Sequence, residues 1–297
     1  MTTVADVIRS AAKTLREAGI DTPEHDAKLL LAEVAGRELR DVDKAMLLGE
    51  QWALDDAAQI RLQAMIARRA KREPLQYIVG HAPFRYLDLA VGPGVFIPRP
   101  ETETVVQAGL DWITQQRLYA PRVVDLCAGS GAIGLSVVTE VRGAEVWAVE
   151  LSPEAYAWTE RNREAVSQRD PSAGYNYHLE QGDATSPLTL PQLNGTIDMV
   201  ITNPPYVPLA QIPEQPEVRD HDPDMALYGG SADGALIPEQ IIMRAASLLR
   251  SGGALVMEHD ISQGDRLVAF ARAQEFAQAR TENDWTGRPR FLFAVRA

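Results

Sequence analysis

From residue 101 onward the sequence alternates between two periodicities. Short apolar runs read as strands at Arg122–Leu126, Glu145–Val149, Tyr175–Glu180, Ile197–Thr202, Ala254–Glu258 and Phe291–Val295. Helical patterns separate most of them. Strands alternating with helices constrain this part of the chain to an α/β fold with a doubly wound, largely parallel sheet. The region before it is of another kind. Residues 3–72 carry helical patterns only, beginning with Val4, Val7, Ile8, Ala11 and Leu15 at three-to-four spacing. Thr22 and Pro23 mark one helix start, and Asp55 can cap a further helix carrying Ile60, Leu62, Met65 and Ile66. The basic end of that helix, Arg68 to Arg72, suits a helix C-terminus or a partner-binding patch. Tyr77–Gly80 and Phe84–Val91 read as two strands of a β-hairpin.

These regimes give three expected parts: a small all-helical domain over 1–73, a β-hairpin linker over 74–98, and the sheet domain over 99–297. A length of 297 residues accommodates them. The single cysteine, Cys127, excludes an intrachain disulfide framework and a cysteine-based zinc cluster, and it permits a reducing compartment. No stretch approaches the roughly 18 apolar residues of a membrane span. The amphipathic N-terminus does not read as a secretory signal. The expectation is a cytoplasmic protein without membrane contact. Net charge is −12. Residues 1–85 are balanced at 13 acids and 13 bases, so the whole excess lies on residues 86–297. Such a domain repels a phosphate backbone at long range.

Two loops carry the chemistry. The first follows the strand Val123-Val124-Asp125-Leu126 and reads Cys127-Ala128-Gly129-Ser130-Gly131-Ala132-Ile133-Gly134. Gly129 and Gly131 allow a sharp turn and close approach of a ligand. Glu150, 21 residues after Gly129 and at the next strand end, can accept from both ribose hydroxyls. Together they point to a nucleoside-bearing cofactor, NAD or S-adenosyl-L-methionine. Asp125 is placed to help bind a cofactor amine, directly or through water. Asp183 can accept from an adenine amino group, or it is a solvated turn acid.

The second loop is Asn203-Pro204-Pro205-Tyr206, at the end of a buried strand. Paired prolines stiffen it, and the Pro204 carbonyl is left free to point at a ligand. The Asn203 side-chain carbonyl is a second acceptor. Two fixed acceptors match the two hydrogens of a planar NH2 group, and Tyr206 offers an aromatic face. Acceptors on those hydrogens orient a weakly nucleophilic nitrogen and favour positive charge developing on it. The segment 203–235, rich in Pro, Gly and Asp, is too long for a simple connection and reads as functional or mobile.

The glycine loop with Asn203–Tyr206 resembles the amino-group methyltransferases that use S-adenosyl-L-methionine. Phe96-Ile97-Pro98-Arg99-Pro100-Glu101-Thr102-Glu103, Ala226–Gly234 and Thr286–Phe291 are similar to stretches of the release-factor glutamine methyltransferases. The resemblance covers nearly the whole chain. It implies a Rossmann-like, seven-stranded methyltransferase sheet. It also implies methyl transfer to N5 of the glutamine in the Gly-Gly-Gln motif of class I peptide chain release factors, with S-adenosyl-L-homocysteine as the product. Asn203 and Pro204 would hold the glutamine amide, with Pro205 and Tyr206 beside it. Cys127, Ala128, Gly129, Ser130, Gly131, Glu150, Asp183 and Ala184 would line the cofactor, along with Asp125 and Asn203. Ala184 stands where a common family form has Trp, and Glu150 where Asp is usual.

Several residues keep two readings. Arg99 and Glu101 orient the substrate loop, or form a linker ion pair or helix cap. Glu214, Glu217, Asp220, Asp222 and Asp224 form a solvated face or attract a basic protein loop. Trp285 is expected to pack on the sheet. His221 and His259 lack metal-ligand spacing, so no metal is expected. A monomer is expected. A DNA or RNA amino-methyltransferase is the alternative, since adenine N6 and cytosine N4 present the same NH2 group. The negative sheet domain and the lack of an aromatic-basic module argue against it.

Overall fold

The computed structural model describes residues 2–297 and opens with four helices: α1 (Val4–Glu17), α2 (Pro23–Ala35), α3 (Leu39–Leu48) and α4 (Asp56–Ala70). A short helix, α5 (Leu75–Val79), precedes the hairpin strands β1 (His81–Phe84) and β2 (Leu87–Ala90). Then come α6 (Pro100–Gln115), β3 (Arg122–Asp125), α7 (Ala132–Glu140), β4 (Glu145–Glu150), α8 (Pro153–Arg169), α9 (Pro171–Tyr175), β5 (Tyr177–Gln181) and β6 (Ile197–Thr202). The chain ends with α10 (Pro216–His221), α11 (Asp224–Leu227), α12 (Leu236–Leu248), β7 (Leu249–Glu258), α13 (Gly264–Ala273), β8 (Phe276–Asn283) and β9 (Pro289–Arg296).

Two units emerge. One holds the chain up to His81 together with Pro213–His221, and the other holds Ala82–Ile212 and Asp222–Ala297. In the first, Ile8, Leu15, Leu30, Leu31, Val42 and Leu62 form a core of their own. Pro23 opens α2, and Asp55 caps α4 by accepting from the Ala58 N–H at 2.7 Å. The basic end of α4 is paired internally. Arg69 is buried and donates to Asp26 and Glu217, each at 2.7 Å, while Arg72 donates to the other oxygen of Glu217. Glu217 therefore belongs to no solvated acidic face: it ties α10 to α4. Tyr77–Gly80, expected as a strand, is the end of α5 and its cap. Gly80 has φ +87° and accepts the left-handed turn that ends the helix. Four apolar residues between Pro74 and Gly80 do not distinguish a helical turn from a strand.

The second unit is a seven-stranded sheet in the order β5-β4-β3-β6-β7-β9-β8, parallel except for the β9 pairings with β7 and β8. Alternate residues of the central strands face opposite cores. Val123, Met199, Ile201 and Val256 pack with α6 and α7 residues such as Val105 and Val137. Val124, Val200, Leu255 and Met257 pack with Ile241 and Ala245 of α12 and Leu267 of α13. Burial on both faces is why these strands read as continuous apolar runs. The edge strand β8, Phe-Ala-Gln-Ala-Arg-Thr-Glu-Asn, is half exposed, and its polar residues hid it from the sequence reading. The hairpin is fixed to this unit. Arg85 grips both oxygens of Glu140 on α7 at 2.6 and 2.7 Å, and Asn162 of α8 bonds both backbone groups of Ala90. Trp285 does not pack on the sheet. It stands 67% exposed in the turn after β8, a turn closed by Asp284 accepting from the Thr286 N–H.

Candidate active site

From β3 the chain steps outward to β4 and β5, then returns to the other side of β3 as β6. A crevice must open where the order reverses, outside the carboxyl ends of β3 and β6. Both loops singled out above leave the sheet there. A cavity of about 380 Å³ lies at this point. Its walls include Cys127, Ala128, Gly129, Ser130, Glu150, Asp183, Ala184, Asn203, Pro205 and Tyr206. Residues far apart in sequence thus face one space.

The glycine loop is held from three directions. Gly129 has φ +58° and Gly131 φ +83°. A Cβ on Gly131 would lie 2.9 Å from Leu135 Cδ1, so the loop closes directly onto α7. From α8, Thr159 donates to the Gly129 carbonyl at 2.6 Å and Asn162 to the Ser130 carbonyl at 2.9 Å. From beneath, Asp125 accepts from the N–H groups of Cys127 and Gly134 at 3.4 and 3.1 Å. Asp125 is fully buried and is not among the cavity-lining residues. Its carboxylate clamps the loop from the side away from the cavity lining. Burial pushes its pKa up to about 7, aided by the nearby Glu150 charge and opposed by the two N–H groups. Gly131 also stays outside the lining.

Glu150 ends β4. Its Oε2 accepts from the Gly129 N–H at 2.7 Å and its Oε1 from the Ser152 N–H at 2.8 Å. Burial pushes its pKa up against those bonds. The carboxylate is locked in orientation while the residue still lines the cavity. Leu151, half exposed, lines it too, and is an apolar neighbour the sequence reading passed over. Asp183 is exposed, and one of its oxygens accepts from Thr185 N–H and hydroxyl. Desolvation pushes the Cys127 thiol far above its ordinary range.

The second loop rests on residues the sequence reading did not single out. Asn203 Nδ2 donates to Thr102 Oγ1 at 3.3 Å, and Thr102 donates to Glu258 Oε2 at 2.7 Å. Tyr206 donates its hydroxyl to Glu258 Oε1 at 2.9 Å. Gln263 holds the Tyr206 carbonyl at 2.9 Å. Thr102 opens α6 and Glu258 closes β7, so only the folded sheet brings them together. Burial pushes the Glu258 pKa up, against the Thr102 and Tyr206 hydroxyls and nearby Arg290. Burial and the Glu258 charge push the Tyr206 phenol well up, so it remains a donor.

Arg99 and Pro204 are outside the cavity lining. Arg99 donates to Asp222 at 2.5 Å and lies 4.8 Å over the ring of Phe96, which does line the cavity. Asp222 is buried, so it too leaves the acidic face, and its pairing with Arg99 is the ion-pair reading of that arginine. Met225 and Leu227, from the short helix α11, add apolar side chains to the wall.

Among the described residues, no helix is long and apolar enough to cross a membrane. Residues 6–80 match the family model described as the PrmC N-terminal domain, and residues 76–217 match Conserved hypothetical protein 95. A release factor glutamine methyltransferase of Bifidobacterium longum is 69% identical over 98% of this chain and 99% of its own length. Those of Streptomyces coelicolor and Mycolicibacterium smegmatis are 41% and 42% identical, over 98% and 100% of this chain and 97% and 99% of theirs. A solved protein-(glutamine-N5) methyltransferase (release factor-specific) of Alicyclobacillus acidocaldarius is 23% identical, at a TM-score of 0.38 over 69% of this chain and 98% of its own. With near-complete coverage at up to 69% identity, the chain belongs to the release factor glutamine methyltransferase family.

Proposed function

We propose that the protein transfers a methyl group from S-adenosyl-L-methionine to N5 of the glutamine in the Gly-Gly-Gln motif of class I peptide chain release factors. The observation that carries this reading is that Asn203 and Tyr206 line the same cavity as Glu150 and the glycine loop. The donor set fits the cofactor. Glu150 keeps a lone pair on each oxygen for a ribose diol, beyond the bonds from Gly129 and Ser152. Leu151, Ile133 and Ala184 offer an apolar surface for a flat base, with Asp183 at hand for its amino group. Leu151 supplies contact that Ala184 is too small to give.

When bound, the cofactor would supply an electrophilic sulfonium methyl, with a neutral thioether as the leaving group. Asn203 Oδ1, on the cavity wall, accepts from one hydrogen of the substrate amide, and the carbonyl of the adjoining Pro204, whose residue stands outside the lining, is proposed as the acceptor for the other. They aim its nitrogen and stabilise the positive charge that develops there. The proton is lost to solvent afterwards, because a methylated amide cation is strongly acidic. The Tyr206 ring, fixed at its hydroxyl and its carbonyl, packs beside the amide plane. The helical region over 1–73 grips the release factor away from its glutamine loop, and Leu47, Leu48 and Ile60 are large apolar side chains exposed on it.

Incubation with the cofactor and a purified release factor, followed by mass spectrometry of the proteolysed factor, tests this. The expected result is one added methyl group on the Gly-Gly-Gln peptide. A factor that remains unmodified, or is methylated elsewhere, counts against the reading.

A further inference from the structure

Glu258 is a carboxylate buried at 2% exposure. Burying it is not a stabilising choice, since an apolar residue of similar volume is often as good or better. Its neighbours show what it does. It accepts one hydroxyl proton on each oxygen, from Thr102 at 2.7 Å and Tyr206 at 2.9 Å. While ionised, the Glu258 carboxylate can only accept, and a threonine hydroxyl has one proton. With that proton committed to Glu258, Thr102 can offer only a lone pair to Asn203, 3.3 Å away. The group on Asn203 that meets a lone pair is Nδ2. Its Oδ1 is left for the cavity.

This direction matters because the two ends of a side-chain amide have nearly the same shape. Packing alone does not choose between them. Turned the other way, Asn203 would present NH2 to the substrate NH2, donor against donor. We propose that Glu258 is a positioning residue: acting through Thr102 it sets which end of the Asn203 amide faces the substrate, and acting through the Tyr206 hydroxyl it fixes the adjacent ring. This rests on the reading of Asn203 as the acceptor for a planar amide. A glutamine at 258 removes the constraint: with its NH2 toward Thr102 and its oxygen toward Tyr206, the Thr102 proton is freed to bond Asn203 Oδ1 and the amide turns over.

The test uses the full chain in four forms: wild type, Glu258→Gln, Thr102→Val and Thr102→Ser. Two readouts are taken with the cofactor bound. The first is kinetic. Glu258→Gln and Thr102→Val should lower kcat about 10- to 100-fold, the range of a misdirected buried hydrogen bond. The cofactor Kd should stay close to the wild-type value, and Thr102→Ser should recover most of the rate. The second readout is the NMR signal of the Asn203 side-chain NH2, assigned by its loss in Asn203→Ser. In the wild type its protons should show a nuclear Overhauser contact to the Thr102 methyl, and that contact should weaken in Glu258→Gln. Unchanged kcat and contact in Glu258→Gln, or equal rates in Thr102→Val and Thr102→Ser, would overturn the proposal. A wild type that leaves the glutamine unmethylated sinks the substrate assignment instead, and the NMR contact still decides the orientation.

Discussion

At the scale of single residues, Asn203 and Glu150 should fail in different ways. On the proposed reading, Asn203→Ala removes one of two acceptors on the reacting amide. The expected loss in kcat is about 10²- to 10³-fold, as for other preorganised hydrogen-bonding groups. Thermal unfolding should barely move, and a variant that keeps its turnover would contradict the assignment. Glu150→Gln leaves the Gly129 and Ser152 N–H groups a single oxygen to share. Cofactor Kd, measured by calorimetry, should rise about 10- to 100-fold, the worth of a bond to a charged group. The rate at saturating cofactor should hold. The places of both in the cavity wall were legible because each sits at a strand end in a short motif. Thr102 and Glu258 were not. They lie 156 residues apart, and no local pattern marks a pair that meets only across a folded sheet. Asp125 had a legible position, but its bonds to the Cys127 and Gly134 N–H groups were not legible, since sequence does not show which side of a turn a carboxylate takes.

At the scale of elements, the strand-turn-helix of the glycine loop makes a sharper prediction than its motif does. Gly131→Ala meets both a positive φ and a Cβ contact of 2.9 Å with Leu135. Gly129→Ala meets a positive φ alone, with no atom within 4 Å of the added Cβ. Urea unfolding should show the first losing more stability than the second, about 1–3 kcal/mol against about 1–2 kcal/mol. Equal losses would mean that α7 yields to the extra carbon. Elements buried on both sides, such as β3 and β6, were plain in the sequence because their apolar runs are continuous. The edge strand β8 and the short helix α5 were not. The first carries too many polar residues to stand out, and the second is too short for its period to register.

At the scale of the whole molecule, Asp125, Glu150 and Glu258 all have pKa values raised by burial. For Asp125 the folded value is about 7, against 3.8 for the ordinary group. The folded protein therefore holds a proton that the unfolded chain releases. That contribution to stability is complete below the unfolded value and is lost as pH rises through the folded one. Denaturation across this range should show wild type losing stability relative to Asp125→Asn as pH increases. A constant difference between them would contradict the shift. Recognition also belongs to this scale. If the helical region grips the factor, a short Gly-Gly-Gln peptide should show a much higher KM than the intact factor, at similar kcat. Equal KM values would leave that region without a role in binding. The most direct measurement is methyl transfer from labelled S-adenosyl-L-methionine, offered at once to a class I release factor, to its Gly-Gly-Ala variant, and to bulk DNA and ribosomal RNA. Label on the intact factor alone is expected; label on the variant, or on nucleic acid in place of the factor, would contradict transfer to the motif glutamine.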